Sequence, residues 1–258
     1  MNWAAKRKLQ YIGGFLFIFL VILSIFIYPI ITKKPTCSDG IKNGDETGID
    51  CGGSCSVMCQ ESSSSPLILW SRAFHVVGST YNLVAFVENQ NVNSAVSNMP
   101  YEFRVYDVNN RLIGRRQGST FIPPNKQFAV FEASFEAGQA EVKSVTFEFT
   151  GPYVWFKKEP TLNTIQLYVD NIIMGEDKNN PSLTARVKNE SVHDLPTFDA
   201  VAILYDKDGN AINASRTYRD GILSNTNLPL TFTWPERLPS DPVTEDVLIG
   251  INPFSVNF

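Results

Sequence analysis

The stretch "YEFRVYD", Tyr101–Asp107, alternates apolar and polar side chains one by one. In a strand, successive side chains point to opposite faces. Tyr101, Phe103 and Val105 therefore share one face, and Glu102, Arg104 and Tyr106 share the other. "SLTARVKN", Ser182–Asn189, sets Leu183, Ala185 and Val187 against Thr184, Arg186 and Lys188. "LTFTW", Leu230–Trp234, sets Leu230, Phe232 and Trp234 against two threonines. One apolar and one polar face predict antiparallel strands laid over a core. From residue 67 onward such runs recur between Asn, Asp, Gly and Pro clusters, with no sustained helical period.

Working outward, the pattern occurs twice. "NLVAFVENQNV" at 82–92 matches "SLTARVKNESV" at 182–192, an offset of 100. "VYDVNNRLIG" at 105–114 matches "LYDKDGNAIN" at 204–213, an offset of 99. Each copy runs a strand ending in Val-x-Asn, a loop, a strand ending in Tyr-Asp, a tight turn and a further strand. Asn109-Asn110 and Asp208-Gly209 supply residues that tolerate the positive φ such hairpins need. Copies of about 95 residues suit immunoglobulin-like sandwiches of about seven strands. The expected domains are 67–156 and 160–258.

The signature "FRVYD" resembles the FxLYD family of small bacterial β-sandwich domains, through Phe103, Val105, Tyr106 and Asp107. The second copy carries Ala202 where Phe would stand, then Leu204, Tyr205 and Asp206. The resemblance implies an exported sandwich with no assigned catalysis.

Near the N-terminus, Tyr11–Thr32 contains no charged residue. A helix of that length spans about 33 Å, close to the hydrocarbon thickness of a bilayer. The run is longer than a signal-peptide core and lacks a small-x-small cleavage pair, which favours an uncleaved anchor. Residues 1–10, with Lys6, Arg7 and Lys8, are expected in the cytoplasm, 11–32 in the bilayer, and the rest outside it.

All four cysteines, Cys37, Cys51, Cys55 and Cys59, follow that run, and the remaining chain has none. An even, tight cluster reads as a disulfide framework in an oxidising compartment, with three pairings open. Zinc is disfavoured by the spacing and by the absence of a nearby histidine. Asp39, Asn43, Asp45 and Asp50 offer oxygen ligands of the kind Ca2+ takes, without the EF-hand spacing. The alternative is that these residues and the glycines serve tight turns. The pattern C-x-D-G-x-x-N-G-x-E-T-x-x-D-C-G-G-x-C, Cys37–Cys55, resembles a small cysteine module of exported and surface proteins of bacteria and some protists. It implies an exported location and no chemistry. Residues 33–59 thus form a cysteine-rich neck, and the serine-rich 60–66 a short flexible linker.

A net charge of −4 with 19% charged residues leaves no basic field for nucleic acid. His75 and His193 have no metal-ligand spacing, no nucleophile-elbow motif exists, and the expectation is no enzyme and no cofactor. Trp70, Trp155, Tyr153, Tyr168, Tyr218 and Trp234 are candidates for an exposed carbohydrate- or peptide-binding platform, though sandwich cores also take large aromatics. "GPYVWFKKEP", 151–160, is read as the joint between the sandwiches and, through Tyr153, Trp155, Lys157 and Lys158, as a possible partner surface. Asn189 and Asn213 open glycosylation sequons.

The expected fold is mainly β: a transmembrane helix, a small disulfide-bonded module and two tandem immunoglobulin-like β-sandwiches. The expected role is a membrane-anchored structural or interaction protein of a bacterial cell envelope. Its partners would be the lipid bilayer and envelope proteins, with a carbohydrate- or surface-ligand-binding module as the alternative.

Overall fold

A computed structural model describes residues 3–31, 34–158 and 166–256. The chain forms two compact units, Met1–Ser54 and Cys55–Phe258. Thr32 and Lys33, the connection at 159–165 and the last two residues lie outside the described residues.

The first unit contains α1, Trp3–Ile31. Within it, the 23-residue span Lys6–Tyr28 is long and apolar enough to cross a membrane, and its side chains are exposed. At a rise of 1.5 Å per residue that span measures about 35 Å. The same unit holds the start of the neck, where the acidic residues act as main-chain caps. Asp50 accepts from the N–H groups of Asp39 (2.9 Å) and Gly40 (2.9 Å to Oδ2). Asp39 accepts from Ile41 N–H and from the Asn43 amide, each at 3.0 Å. Glu46 accepts from Asn43 N–H at 3.2 Å. Ser54 Oγ donates to Asp45 at 2.8 Å. Gly53 has φ +58°, and a Cβ there would lie 2.2 Å from Asp45 O, so only glycine fits. All four cysteines are disulfide-bonded, forming two bridges. The carboxylates that offered themselves to calcium are therefore used as acceptors that hold a segment without regular structure.

Among the described residues, the second unit is built from thirteen strands in four antiparallel sheets. They are β1 (Leu67–Val77), β2 (Thr80–Asn89), β3 (Ser94–Asp107), β4 (Leu112–Ile122), β5 (Lys126–Glu136), β6 (Val142–Phe149), β7 (Trp155–Lys157), β8 (Leu167–Met174), β9 (Ser182–Asn189), β10 (Phe198–Tyr205), β11 (Ala211–Arg219), β12 (Asn227–Thr233) and β13 (Thr244–Gly250). The first two sheets have orders β1-β2-β5 and β4-β3-β6, with β7 pairing to the start of β3. The other two have orders β8-β9-β12 and β11-β10-β13. Adding seven to each strand of the first pair gives the second, so one strand order occurs twice.

Each sheet pair encloses its own core. Leu83, Ala85, Val87, Phe103, Val105, Phe128, Val145 and Phe147 belong to the first, and Leu183, Ala185, Val187, Ala202, Leu204, Leu230, Phe232 and Trp234 to the second. The faces expected from "YEFRVYD", "SLTARVKN" and "LTFTW" are the ones buried. Phe103 on β3 and Ala202 on β10 occupy equivalent inward positions.

Two polar devices recur and explain the shared signatures. Asn89 is buried, and its amide donates to the carbonyls of Ser94 (2.9 Å) and Pro123 (2.7 Å), while its Oδ1 accepts from Asn91 N–H. Asn189 is buried likewise, donating to His193 O (2.9 Å) and Leu223 O (3.1 Å) and accepting from Ser191 N–H at 3.0 Å. Each asparagine ties the strand end to the loop that follows it and to a distant loop. The Val-x-Asn ending is thus a requirement of the loop.

The Tyr-Asp ending serves the hairpin. Asp107 Oδ1 accepts from the N–H groups of Asn109 and Arg111, and Asp206 Oδ1 from those of Asp208 and Asn210. Asn110 (φ 57°) and Gly209 (φ 75°) take the left-handed position, as the sequence required. Backbone N–H donation, first from Arg111 and from Asn210, holds both carboxyls below the usual carboxylate range. A carboxyl with a depressed folded pKa adds stability that is full above its unfolded value, about pH 4, and is lost as pH falls through the folded one. We expect the melting temperature to drop on acidification from about pH 5 to pH 2, and the drop to be shallower in D107N/D206N. Equal slopes in the two proteins would remove these turns from the acid response.

The serine-rich 60–66 differs from its expectation as a flexible linker. It opens with a 3-10 turn, Gln60–Ser62. Ser64 N–H donates to Asn91 Oδ1 at 2.9 Å and Asn91 Nδ2 donates back to Ser64 O at 2.7 Å. Just before it, Met58 N–H bonds Trp155 O and Met58 packs on the first core. This stretch is docked along the first sheet pair, because its backbone groups find fixed partners.

Candidate functional site: the seam between the sheet pairs

β2 and β10 are buried on both faces. On β2, Leu83, Ala85 and Val87 face the first core, which leaves Val84 and Phe86 on the opposite face. On β10, Ala200, Ala202 and Leu204 face the second core, which leaves Val201 and Ile203 outward. These outward faces meet. Phe74, Val84, Phe86 and Phe131 of the first pair join Val201, Ile203, Ala211 and Ala214 of the second in one buried cluster, flanked by Trp70 and Leu248. Removing each large side chain from water stabilises the joint by about 1.5–3 kcal/mol before conformational costs.

Polar ties surround this apolar centre. Arg72 Nη1 donates to Ala211 O at 2.6 Å, Arg216 Nη1 to Phe131 O at 3.1 Å, and Lys126 Nζ to Ile249 O at 2.8 Å. The Arg216 guanidinium also lies 5.1 Å from the Phe131 ring centre, within cation–π range. Lys126 as a whole residue is exposed, yet burial around its ammonium pushes the pKa below the ordinary lysine value. Burial, then the Asp246 carboxylate, pushes the Tyr205 hydroxyl up to about 12. Burial and the hydrogen bond to Glu132, at 2.7 Å, also raise Tyr101.

Clefts open along the seam, two of them lined by several polar and charged groups. One, of about 320 Å³, is bordered by Ser97, Asn98, Thr120, Asp199, Arg216 and Asn252. The other, of about 290 Å³, is bordered by His75, Asn82, Asn213, Trp234, Glu236 and Arg237. His75 Nδ1 lies 3.4 Å from Glu236 Oε2, and its Nε2 lies 2.9 Å from Gly78 O, so this histidine bridges the two pairs at the rim. The chemistry on offer is joining: apolar burial at the centre, with charged groups capping carbonyls around it.

The apolar seam is formed by strands other than "GPYVWFKKEP", which touches the second pair near its end. Trp155, 1% exposed, is part of the first core, and Tyr153 packs beside it edge-on at 5.8 Å. Lys157 N–H bonds Ser56 O and Lys158 N–H bonds Asn93 O, both within the first pair's surroundings. Among the described residues of this stretch, Phe156 and Lys158 reach the second pair, both through Phe254. Tyr153, Trp155, Lys157 and Lys158 therefore do not form a common surface; the tryptophan is needed inside to close the β3–β7 end of the core. Glu159 and Pro160 lie outside the described residues.

The aromatic platform is dispersed in the same way. Trp155 and Trp234 are in the two cores, Trp70 is half-buried at the seam, and Tyr168 and Tyr218 are exposed. Both sequon asparagines, Asn189 and Asn213, are buried, which withholds their amides from a glycosylating enzyme.

The seam residues had a sequence signal. "NLVAFVEN" and "FDAVAILY" carry apolar residues at five successive positions, 83–87 and 200–204, where "YEFRVYD", "SLTARVKN" and "LTFTW" alternate. An unalternated strand is covered on both faces.

No family model matches the chain, and no curated protein does. Among solved structures, red sea bream transglutaminase is 12% identical over 72% of this chain and 31% of its own, with a TM-score of 0.24. A β-glucuronidase of glycoside hydrolase family 2 is 10% identical over 81% of this chain and 26% of its own, with a TM-score of 0.22. The chain thus spans under a third of either protein, and neither likeness carries an argument about activity.

Proposed function

We propose that this chain is a single-pass anchored interaction protein of a bacterial cell envelope. In this reading α1 sits in the bilayer with its N-terminus in the cytoplasm, and the residues after it lie outside. The two sheet pairs are tandem immunoglobulin-like domains of the FxLYD kind, which present edges and loops to other envelope proteins. The observation that carries the reading is that the cysteines following the apolar helix are all disulfide-bonded, a state that persists in oxidising compartments. Two further features support it. The segment 56–65 is fixed to the first sheet pair, and the apolar seam fixes the first pair to the second. A short rigid arm on an anchor raises the effective concentration of its surfaces near the membrane without new contacts.

Fractionation combined with protease treatment of spheroplasts tests this. The full-length chain is expected in the membrane fraction after carbonate washing, with residues beyond the neck digested while the inner membrane is intact. A mature form lacking α1 in the soluble fraction, or a C-terminal part protected until the membrane is ruptured, would overturn it.

A further inference from the structure

The seam joins unlike faces: the outer face of β1-β2-β5 meets the outer face of β11-β10-β13. Because the two sheet pairs repeat one order, each of these faces has an equivalent at the far end of the other pair. The equivalent of β1-β2-β5 is the outer face of β8-β9-β12, and that of β11-β10-β13 is the outer face of β4-β3-β6. A contact between unlike faces propagates head to tail unless the ends are altered.

Strand register identifies what stands at the end positions. Val84 opposes Phe131, as Thr184 opposes Thr231; Trp70 opposes Phe86, as Asp170 opposes Arg186. Val201 opposes Leu248, as Glu102 opposes Glu148; Ile203 opposes Ala214, as Arg104 opposes Arg115. At these paired positions the joint is apolar and both ends are polar or charged; on the β1 and β8 side of the same two positions the pattern reverses, with Arg72 opposite Val84 and Ile173 opposite Thr184. The end charges are also closed on themselves. Glu102, 3% exposed, accepts from Arg104 Nε at 2.5 Å and from Gln117 Nε2 at 2.7 Å, and Arg104 also reaches Glu148. Arg186 makes a two-point bond with Asp170, at 2.7 and 2.9 Å. Covering either network with another sheet would desolvate charges without offering new partners.

We propose that the two outer sheet faces are polar caps that stop the stack at two units, and that the partner they exclude is a second copy of this chain. Going beyond the envelope reading, this assigns the ends of the arm a role in keeping the chain monomeric, as terminal repeats do in stacked repeat proteins. The test transplants the joint onto each end. Variant one carries E102V, R104I, R115A and E148L; variant two carries T184V, R186F and T231F. In detergent micelles with the full chain, sedimentation is expected to show the unmodified protein as a monomer. An equimolar mixture of the variants is expected to run at twice that protein mass, and a chain carrying both sets as longer, concentration-dependent assemblies. Should circular dichroism show that a set does not fold, E102V/R104I and T184V/R186F are mixed and read in the same way. A mixture of folded variants that stays monomeric overturns the proposal. So does equal self-association of either variant alone, which would make exposed apolar area, and not face matching, the driving force.

Discussion

Ile203→Asp is expected to cost more than about 4 kcal/mol, the largest single effect in the chain. Ile203 is fully buried on the seam side of β10, in the cluster with Phe86 and Phe131. A carboxylate there loses the isoleucine's buried methylenes and takes a charge out of water into an apolar cluster, so both terms act in one direction. Ile203→Ala removes only the packing and should cost about 2–4 kcal/mol, with the pairs still joined. Urea unfolding followed by tryptophan fluorescence separates the outcomes. The aspartate variant should lose one shared transition and show two, because each sheet pair keeps its own core. A midpoint within error of the unmodified protein would mean that the two faces do not bury one another.

The second large effect falls on the loop-tying asparagines. Replacing Asn189 by leucine removes an amide that bonds the carbonyls of His193, Ile222 and Leu223 and an oxygen that accepts from Ser191. Ser191, a buried residue, then has an N–H without its acceptor, while His193 O keeps Ser191 Oγ and Leu223 O keeps Thr226 as donors, so a loss of about 1–3 kcal/mol is expected. Asn89→Leu should behave alike, since it strands Ser94 O and Pro123 O. Asn89→Asp and Asn189→Asp keep the acceptor but lose the donor, and should fall between leucine and the native residue. A leucine variant as stable as the parent by thermal melting would show these bonds to be incidental.

Much of the fold could be read from the residues because each strand is a local object. Alternation in "YEFRVYD", "SLTARVKN" and "LTFTW" is decided by which side of a pleat faces the core, and all three buried faces were the expected ones. The Val-x-Asn and Tyr-Asp endings marked the repeat because each carries a loop's hydrogen bonds. The seam was harder, although its signal was present. Apolar residues at 83–87 and 200–204 say that both faces are covered, but not by what. A cluster such as Tyr153–Trp155 looks like a joint by composition, yet whether a tryptophan points into its own core or onto a neighbour depends on strand β7, only three residues long. The serines at 62–65 read as a linker because small polar side chains show no pattern, and their order comes from distant partners: Ser94 for Ser63, Asn91 for Ser64 and Tyr153 for Ser65. The neck acids presented a similar ambiguity: oxygens suited to a cation are equally suited to main-chain N–H groups, and spacing alone does not distinguish the two uses.

The central claim is that the outward residues of β2 and β10 cover each other. A double-mutant cycle tests it most directly, with V84A/F86A on one face, V201A/I203A on the other, and the four changes combined. Residues in contact couple, so the combined loss of stability should depart from the sum of the two losses by about 1 kcal/mol or more. Losses that add to within about 0.3–0.5 kcal/mol would show that the two faces do not meet.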